Sequence, residues 1–306
     1  MSQSITSADF GFLPAELAFR VSHIVIQTRP DLEEAIASVR QSEGIEDDWI
    51  YAPPQQQILN GMVRELPYPS RVFGLPKTHV ITQSDQGHGL WQLQFYVWAL
   101  SFFLGMRLTT TEAGFLDATP IVPGNLIDFS LPSQDLPKAI ALADEFWLLH
   151  RSNPAHAKRF AAAVHALFLG QCPQYLQFER FIYLYTALDA CYALTAASIG
   201  LRRKKPSHSA RIAWMCDQFG IPIPHWALKT GSSAEIANLR NPIMHEALFV
   251  GEPFGFAIHG VGLNQNLPLE MKCLLCRLLV ALIGGEQTAY IKSPVNRRVR
   301  YRLELP

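Results

Sequence analysis

QYLQFERFIYLYTALDACYALTAASI, residues 174–199, reads as one long helix. Its apolar side chains recur at helical spacing, and it stops before Gly200, a residue suited to the positive φ of a helix end. The pattern on either side is also helical. Residues 136–150 form one amphipathic segment. Residues 154–169 form the next, with Asn153 placed to cap it and Pro154 at its first position. After the basic stretch LRRKKP (201–206), a shorter helix spans 207–219 and is stopped by Gly220, Pro222 and Pro224. Residues 232–249 and 268–283 complete the helical series, the last ending at Gly284-Gly285. The tail over 289–305 alternates basic and apolar residues, which predicts a terminal strand or hairpin arm.

The preceding half has a different texture. Residues 17–27 (LAFRVSHIVIQ) read as a strand, and residues 31–40 as a short amphipathic helix with Asp31 near its start. Prolines at 53, 54, 67, 69 and 76 make 51–77 loops and short strands, with another strand within 71–82. Residues 91–108 are apolar on every side, which predicts a buried helix or, failing that, a pair of buried strands. Four prolines (120, 123, 132 and 137) and Gly124 within 118–137 mark a boundary. The expected organisation is a mixed α+β domain over 1–134 and a helical domain with a basic arm over 135–306.

Bulk properties narrow the function classes. The chain has 306 residues, 49% of them hydrophobic and 17% charged, which excludes an intrinsically disordered chain. The start, MSQSITSADF, lacks the basic and apolar regions of a signal peptide, and the apolar run 91–106 is too short to span a bilayer easily. Cysteines at 172, 191, 216, 273 and 276 are odd in number and sit in helical segments, so a disulfide framework is not expected and a cytoplasmic location is. Cys273 and Cys276 form a CxxC on one face of an apolar helix, with no second pair to complete a zinc site, so packing is expected of them. Net charge is zero, yet residues 1–150 hold 8 Lys and Arg against 17 Asp and Glu, while 151–306 hold 18 against 9. A polyanion would be drawn to the second half.

One short motif carries chemistry. In GSSAEIANLRNPIMHEALF (231–249), Arg240 precedes His245 by five residues. A nuclease that works without a metal needs a group titrating near neutral pH and a permanent cation for charge developing on phosphate. His and Arg supply these, and Asn241 can orient the His or donate to phosphate. Two parses are open. Ser232 and Glu235 have the spacing of a capping box, and Asn241-Pro242 can start a second helix whose N-terminus faces phosphate. Alternatively one helix runs through, kinked at Pro242, which sets positions 240 and 245 about 140° apart at about 100° per residue.

The segment Arg240-Asn241-Pro242-Ile243-Met244-His245 resembles the Arg-polar-x-x-x-His motif of HEPN domains (higher eukaryotes and prokaryotes nucleotide-binding). Asp189 within the long apolar helix before it, and the apolar helix MKCLLCRLLVALIG after it, fit the same pattern. The arrangement is similar to the ApeA-like branch and covers about residues 135–285. The resemblance implies a mainly α chain: a HEPN-like helical bundle preceded by the mixed α+β domain. It implies a metal-independent endoribonuclease of toxin or antiviral type, without cofactor, in which the ribose 2′-OH attacks the adjacent phosphate. It further implies a homodimer pairing two motifs in one cleft, and a possible antitoxin or regulatory protein as partner. By the same carry-over Arg240, Asn241 and His245 are the catalytic residues. Asp189 belongs to the RNA site or is a structural acid paired with an Arg such as Arg240. The alternative is a non-catalytic module that binds RNA, nucleotide or protein; a purely structural helical domain is a third reading.

Arg202, Arg203, Lys204 and Lys205 form a basic run that either contacts RNA backbone or is a solvated loop. Arg297, Arg298, Arg300 and Arg302 alternate with Val299, Tyr301 and Leu303 and read as an RNA-contacting or charge-protected edge strand. His88, between glycines, is a candidate loop residue near a site. No histidine has metal-ligand spacing, and no Walker, GxSxG or GxGxxG sequence is present.

Overall fold

The computed structural model describes residues 5–84, 89–200, 206–246, 266–296 and 299–306, the side chains of 245 and 246 excepted. The chain divides into two compact units. The first takes Met1–Leu126, Leu136–Asp144 and Cys172–Gln174; the second takes Ile127–Asp135, Glu145–Gln171 and Tyr175–Pro306.

The first unit is rich in sheet. Its elements are β1 (Thr6–Phe10), β2 (Ala18–Val21), β3 (Ile24–Thr28), α1 (Leu32–Arg40), β4 (Ile45–Glu46), β5 (Trp49–Tyr51), β6 (Pro54–Leu59), β7 (Met62–Pro69), β8 (Val72–Phe73), β9 (His79–Gln83), α2 (Leu90–Leu104), β10 (Phe115–Leu116) and β11 (Ala118–Pro120). The main sheet is antiparallel in the order β1-β9-β3-β2, with Ile26 opposite Ile81. Residues 17–27, expected as a single strand, instead fold back on themselves as β2 and β3. Ser22 takes φ 49°, and the reversal lets Ile24 and Ile26 share the buried face. Helix α2 lies against β1 and β9. It is apolar around its whole circumference because it is buried there, and it ends at Gly105 in the left-handed region.

A chain of buried polar groups crosses this core. Gln83 Nε2 donates to Gln92 Oε1 (3.0 Å), Gln92 Nε2 to the Tyr96 hydroxyl (2.6 Å), and that hydroxyl to Asp144 Oδ1 (2.6 Å). The hairpin β6–β7 turns at Asn60-Gly61, both at positive φ (51° and 79°) as a two-residue primed turn requires.

The second unit contains β12 (Phe129–Ser130), the end of α3 (Leu136–His150), α4 (Ala155–Leu169), α5 (Gln177–Ser198), α6 (His208–Phe219), β13 (Lys229–Thr230), β14 (Ser233–Ala234), α7 (Glu235–Asn241), α8 (Leu267–Val280) and β15 (Tyr301–Arg302). Helix α5 is the centre of this unit, packed along α4, α8 and α6. Buried Arg277 of α8 ties the C-terminal segment down. Its guanidinium donates to Asp128 Oδ2 (2.7 Å), to the Ser293 and Pro294 carbonyls (2.9 and 3.2 Å) and to Ser293 Oγ (2.8 Å). Cys273 and Cys276 are buried in the same helix, where burial pushes the Cys273 thiol up to about 12.

The expectation of a mainly α chain with a HEPN-like bundle is not met. Of the described residues 46% are helical and 20% lie in strands: a sheet-rich N-terminal region and a helical C-terminal half, which is mixed α+β. Two local features break up a simple bundle. A hairpin, β13–β14, stands between α6 and α7, and α7 is only seven residues long before the helix widens. In the basic tail, Tyr301 and Arg302 form a short terminal strand, paired in parallel with β12, while Leu303 and Leu305 are buried.

Candidate functional site

Three helices of the second unit bring the motif together with side chains it does not contain. On α5, Tyr185, Asp189 and Tyr192 stand at i, i+4 and i+7, one stripe along the helix. On α6, His208 and Arg211 are three apart and share a face. Arg240 and Asn241 occupy the last turn of α7.

The contacts are specific. Arg211 Nη1 donates to Asp189 Oδ1 in a close ion pair whose guanidinium is 16% exposed. The same guanidinium lies over the Tyr192 ring, 4.1 Å from its centroid. Arg240 approaches the Tyr185 ring at 5.7 Å and donates through Nη1 to Asn241 Oδ1 (3.2 Å). The Tyr185 hydroxyl and His208 Nδ1 are hydrogen-bonded at 3.1 Å. Burial pushes the Tyr185 phenol up to about 12; the Asp189 charge adds to this and the two arginines oppose it. The phenol is therefore neutral at physiological pH. Two arginines, one carboxylate and a histidine thus gather on an aromatic platform, with net positive charge. The two rings are buried beneath the guanidiniums, so they position the arginines, and the cations are the groups that can meet a phosphodiester.

The backbone decides between the two parses of the motif. Helix α7 begins at Glu235, because Ser233 and Ala234 pair with Thr230 and Lys229 across Gly231, which takes φ 75°. The Ala234 N–H donates to Ser209 Oγ of α6 (2.7 Å). The Ser232–Glu235 capping box is thus replaced by a hairpin, and Asn241 is not an N-cap. The helix runs through Pro242 (φ −59°, ψ −43°) into a π-helical turn, Pro242–Glu246, which contains the backbone of His245. Proline has no N–H and its ring crowds the carbonyl four residues back, so the ladder widens there. The phosphate-facing helix N-terminus at Asn241-Pro242 is therefore not formed; Arg240 sits instead in a last turn. The π turn compensates in part. Its i→i+5 bonds place more residues in each turn, which narrows the angle between positions 240 and 245 from the value in a continuous α-helix.

Of the residues expected from the sequence, Arg240 and Asn241 lie in this cluster. Asp189 joins it through Arg211 rather than Arg240. Arg202, Arg203, Lys204, Lys205, His88, Arg297 and Arg298 lie outside the described residues, as does the His245 side chain. Sequence reasoning missed Arg211, His208, Tyr185 and Tyr192. The Tyr185–Asp189–Tyr192 stripe and the His208–Arg211 spacing were the available signals, but both are common on helices that only pack. Among the described residues no group of three or more His, Cys, Asp or Glu could hold a metal ion, and no helix is long and apolar enough to cross a membrane.

No protein-family model, curated protein or solved structure matches this chain.

Proposed function

We propose that the α5–α6–α7 cluster binds RNA and cleaves it as a metal-independent endoribonuclease. The observation that carries this is that Arg211, paired with Asp189, and Arg240 both lie against the Tyr185–Tyr192 stripe of α5, with Arg240 on the same helix run as His245. Arg240 supplies a permanent cation for charge on the non-bridging oxygens, and Asn241 restrains its guanidinium. His245 supplies a group titrating near neutral pH to take the 2′-OH proton. The 2′-oxygen bonds to phosphorus and the bond to the 5′-oxygen breaks, leaving a 2′,3′-cyclic phosphate and a 5′-hydroxyl. Asp189 holds Arg211 in place through their ion pair. A second copy of the chain is the proposed partner for completing the cleft. Five free, buried cysteines suit work in a reducing compartment such as the cytoplasm.

The test is purified protein with single-stranded RNA in EDTA, beside Arg240→Ala and His245→Ala. The proposal expects cyclic-phosphate ends from wild type and a loss of about 100-fold or more in either variant. Equal cutting by all three proteins sinks it. A second reading, RNA binding without cleavage, has the neutralising Asp189–Arg211 pair in its favour. It predicts no cyclic-phosphate ends, with salt-dependent binding whose slope falls by about 1 in Arg240→Ala.

A further inference from the structure

Two histidines meet where α3 turns into α4. His150 closes α3, and His156 lies in the first turn of α4. A continuous helix would not align them: at about 100° per residue, positions six apart point about 120° away from each other. The turn does. It is built on two successive i→i+3 backbone bonds, from Asn153 N–H to the His150 carbonyl (2.8 Å) and from His156 N–H to the Asn153 carbonyl (3.0 Å). With about three residues per turn, positions 150, 153 and 156 stack on one side. We propose that His150 and His156 form a metal site, binding Cu(II) or Ni(II) at two cis positions through their Nδ1 atoms. The site lies outside the α5–α6–α7 cluster and is independent of the ribonuclease reading.

The geometry carries this. The two Nδ1 atoms are 2.9 Å apart, and the rings meet at 82° with centroids 4.6 Å apart. An imidazole nitrogen sits about 2.0–2.1 Å from a first-row divalent ion. Two such nitrogens at 90° are about 2.9 Å from each other, against roughly 3.3 Å at a tetrahedral ion. The observed separation matches the square-planar or tetragonal case, which Cu(II) and Ni(II) favour over Zn(II). To converge on one ion, each lone pair swings about 45° off the line between the nitrogens, within the broad χ2 torsion of a histidine. Both rings are half-buried at the turn, so water can fill the remaining positions of the ion. Burial and the neighbouring His156 push the His150 pKa down, which favours the neutral ring that a metal needs.

Asn153 completes the arrangement. Its Nδ2 lies 3.3 Å from His156 Nε2. With Nδ2 as donor, the His156 proton is on Nδ1 and is shared with His150 Nδ1, and His150 keeps its own proton on Nε2. Binding moves one proton. The His156 Nδ1 proton passes to solvent and Nε2 takes one up, so both rings stay neutral and both Nδ1 lone pairs face the ion. The Asn153 amide then turns its carbonyl oxygen to accept from Nε2–H, which makes Asn153 a positioning residue for the ligand ring. The ion displaces two of its waters and is neither oxidised nor reduced.

The test uses the full chain, stripped with EDTA and titrated with Cu(II) or Ni(II) alone. Wild type is expected to hold one Cu(II) whose electron paramagnetic resonance spectrum shows coupling to two imidazole nitrogens. His150→Gln and His156→Gln are each expected to weaken binding about tenfold or more, and the double variant to lose the two-nitrogen spectrum. Asn153→Leu is expected to weaken binding about tenfold while keeping that spectrum. Circular dichroism checks the fold of each variant. One measurement needs no variant: carbethoxylation of the wild-type histidines, mapped by mass spectrometry with and without Cu(II), is expected to show protection at 150 and 156. A double variant that keeps the wild-type spectrum, coupling to a single nitrogen in wild type, or protection only at other histidines overturns the proposal.

Discussion

Replacing Arg277 with leucine should cost the second unit about 5 kcal/mol, and the structure says where the loss arises. The side chain is 1% exposed, and its five N–H groups are shared among six acceptors: Asp128, Cys273 O, Ser293 O, Ser293 Oγ, Pro294 O and, at 3.4 Å, the Tyr290 hydroxyl. Leucine fills part of the volume but leaves Asp128, 13% exposed, without its guanidinium partner and with only neutral donors, the Tyr290 hydroxyl and the Cys273 thiol, among the described hydrogen bonds. Stranding one partner of a buried pair costs about 3–5 kcal/mol. Each carbonyl that loses a charged donor adds roughly 1 kcal/mol where water cannot replace it. Converting Asp128 to leucine as well removes the stranded charge, so the double variant should recover about half of the loss. Urea unfolding gives the totals, and hydrogen exchange by mass spectrometry over 267–285 and 288–296 localises them. Single-variant stability within about 1 kcal/mol of wild type, or a double variant less stable than the single, would refute the assignment of the cost to a stranded Asp128.

Two further outcomes follow from other parts of the chain. His79 is fully buried between Thr28 and Thr78, and burial pushes its pKa from 6.5 down to about 4. The unfolded chain takes up a proton there below about pH 6.5 and the folded unit does so only near pH 4, so stability should fall as pH drops through that window. The acid sensitivity should be smaller in His79→Gln, and an unchanged Tm–pH slope in that variant would remove His79 as its source. Pro242→Ala restores a backbone donor at the π turn and should stabilise the motif helix by about 1–3 kcal/mol. Slower amide exchange over 240–246 is the readout, and faster exchange there would show that proline braces the turn.

Much of the secondary structure was legible because burial wrote it in periodicity. The apolar positions of 174–199 and 136–150 mark α5 and α3 closely, and the all-apolar run near Trp91 marks α2, since a helix buried all round has no polar face to show. Strands were harder to read. β4, β8, β10, β12 and β15 are two residues each, too short for alternation, and the β2–β3 reversal hinges on Ser22 at positive φ rather than on a turn dipeptide. The sheet-rich character of the first unit was underestimated for that reason, and a chain read as mainly α is mixed α+β.

The candidate site divides along the same line. The five-residue spacing of Arg240 and His245, the neighbouring Asn241 and the acid in the preceding helix are local facts that the sequence alone contains. Whether Asn241-Pro242 starts a helix or lies within one could not be read from it, because proline is tolerated at a first turn and in a kinked interior alike, and hairpin β13–β14 settles where α7 begins. Only tertiary structure decided that Asp189 answers Arg211, that Tyr185 carries both Arg240 and His208, and that Arg277 holds Asp128 across 149 residues of chain. Sequence spacing governs neighbours on one helix; which helix face meets which is set by the packing of the whole unit.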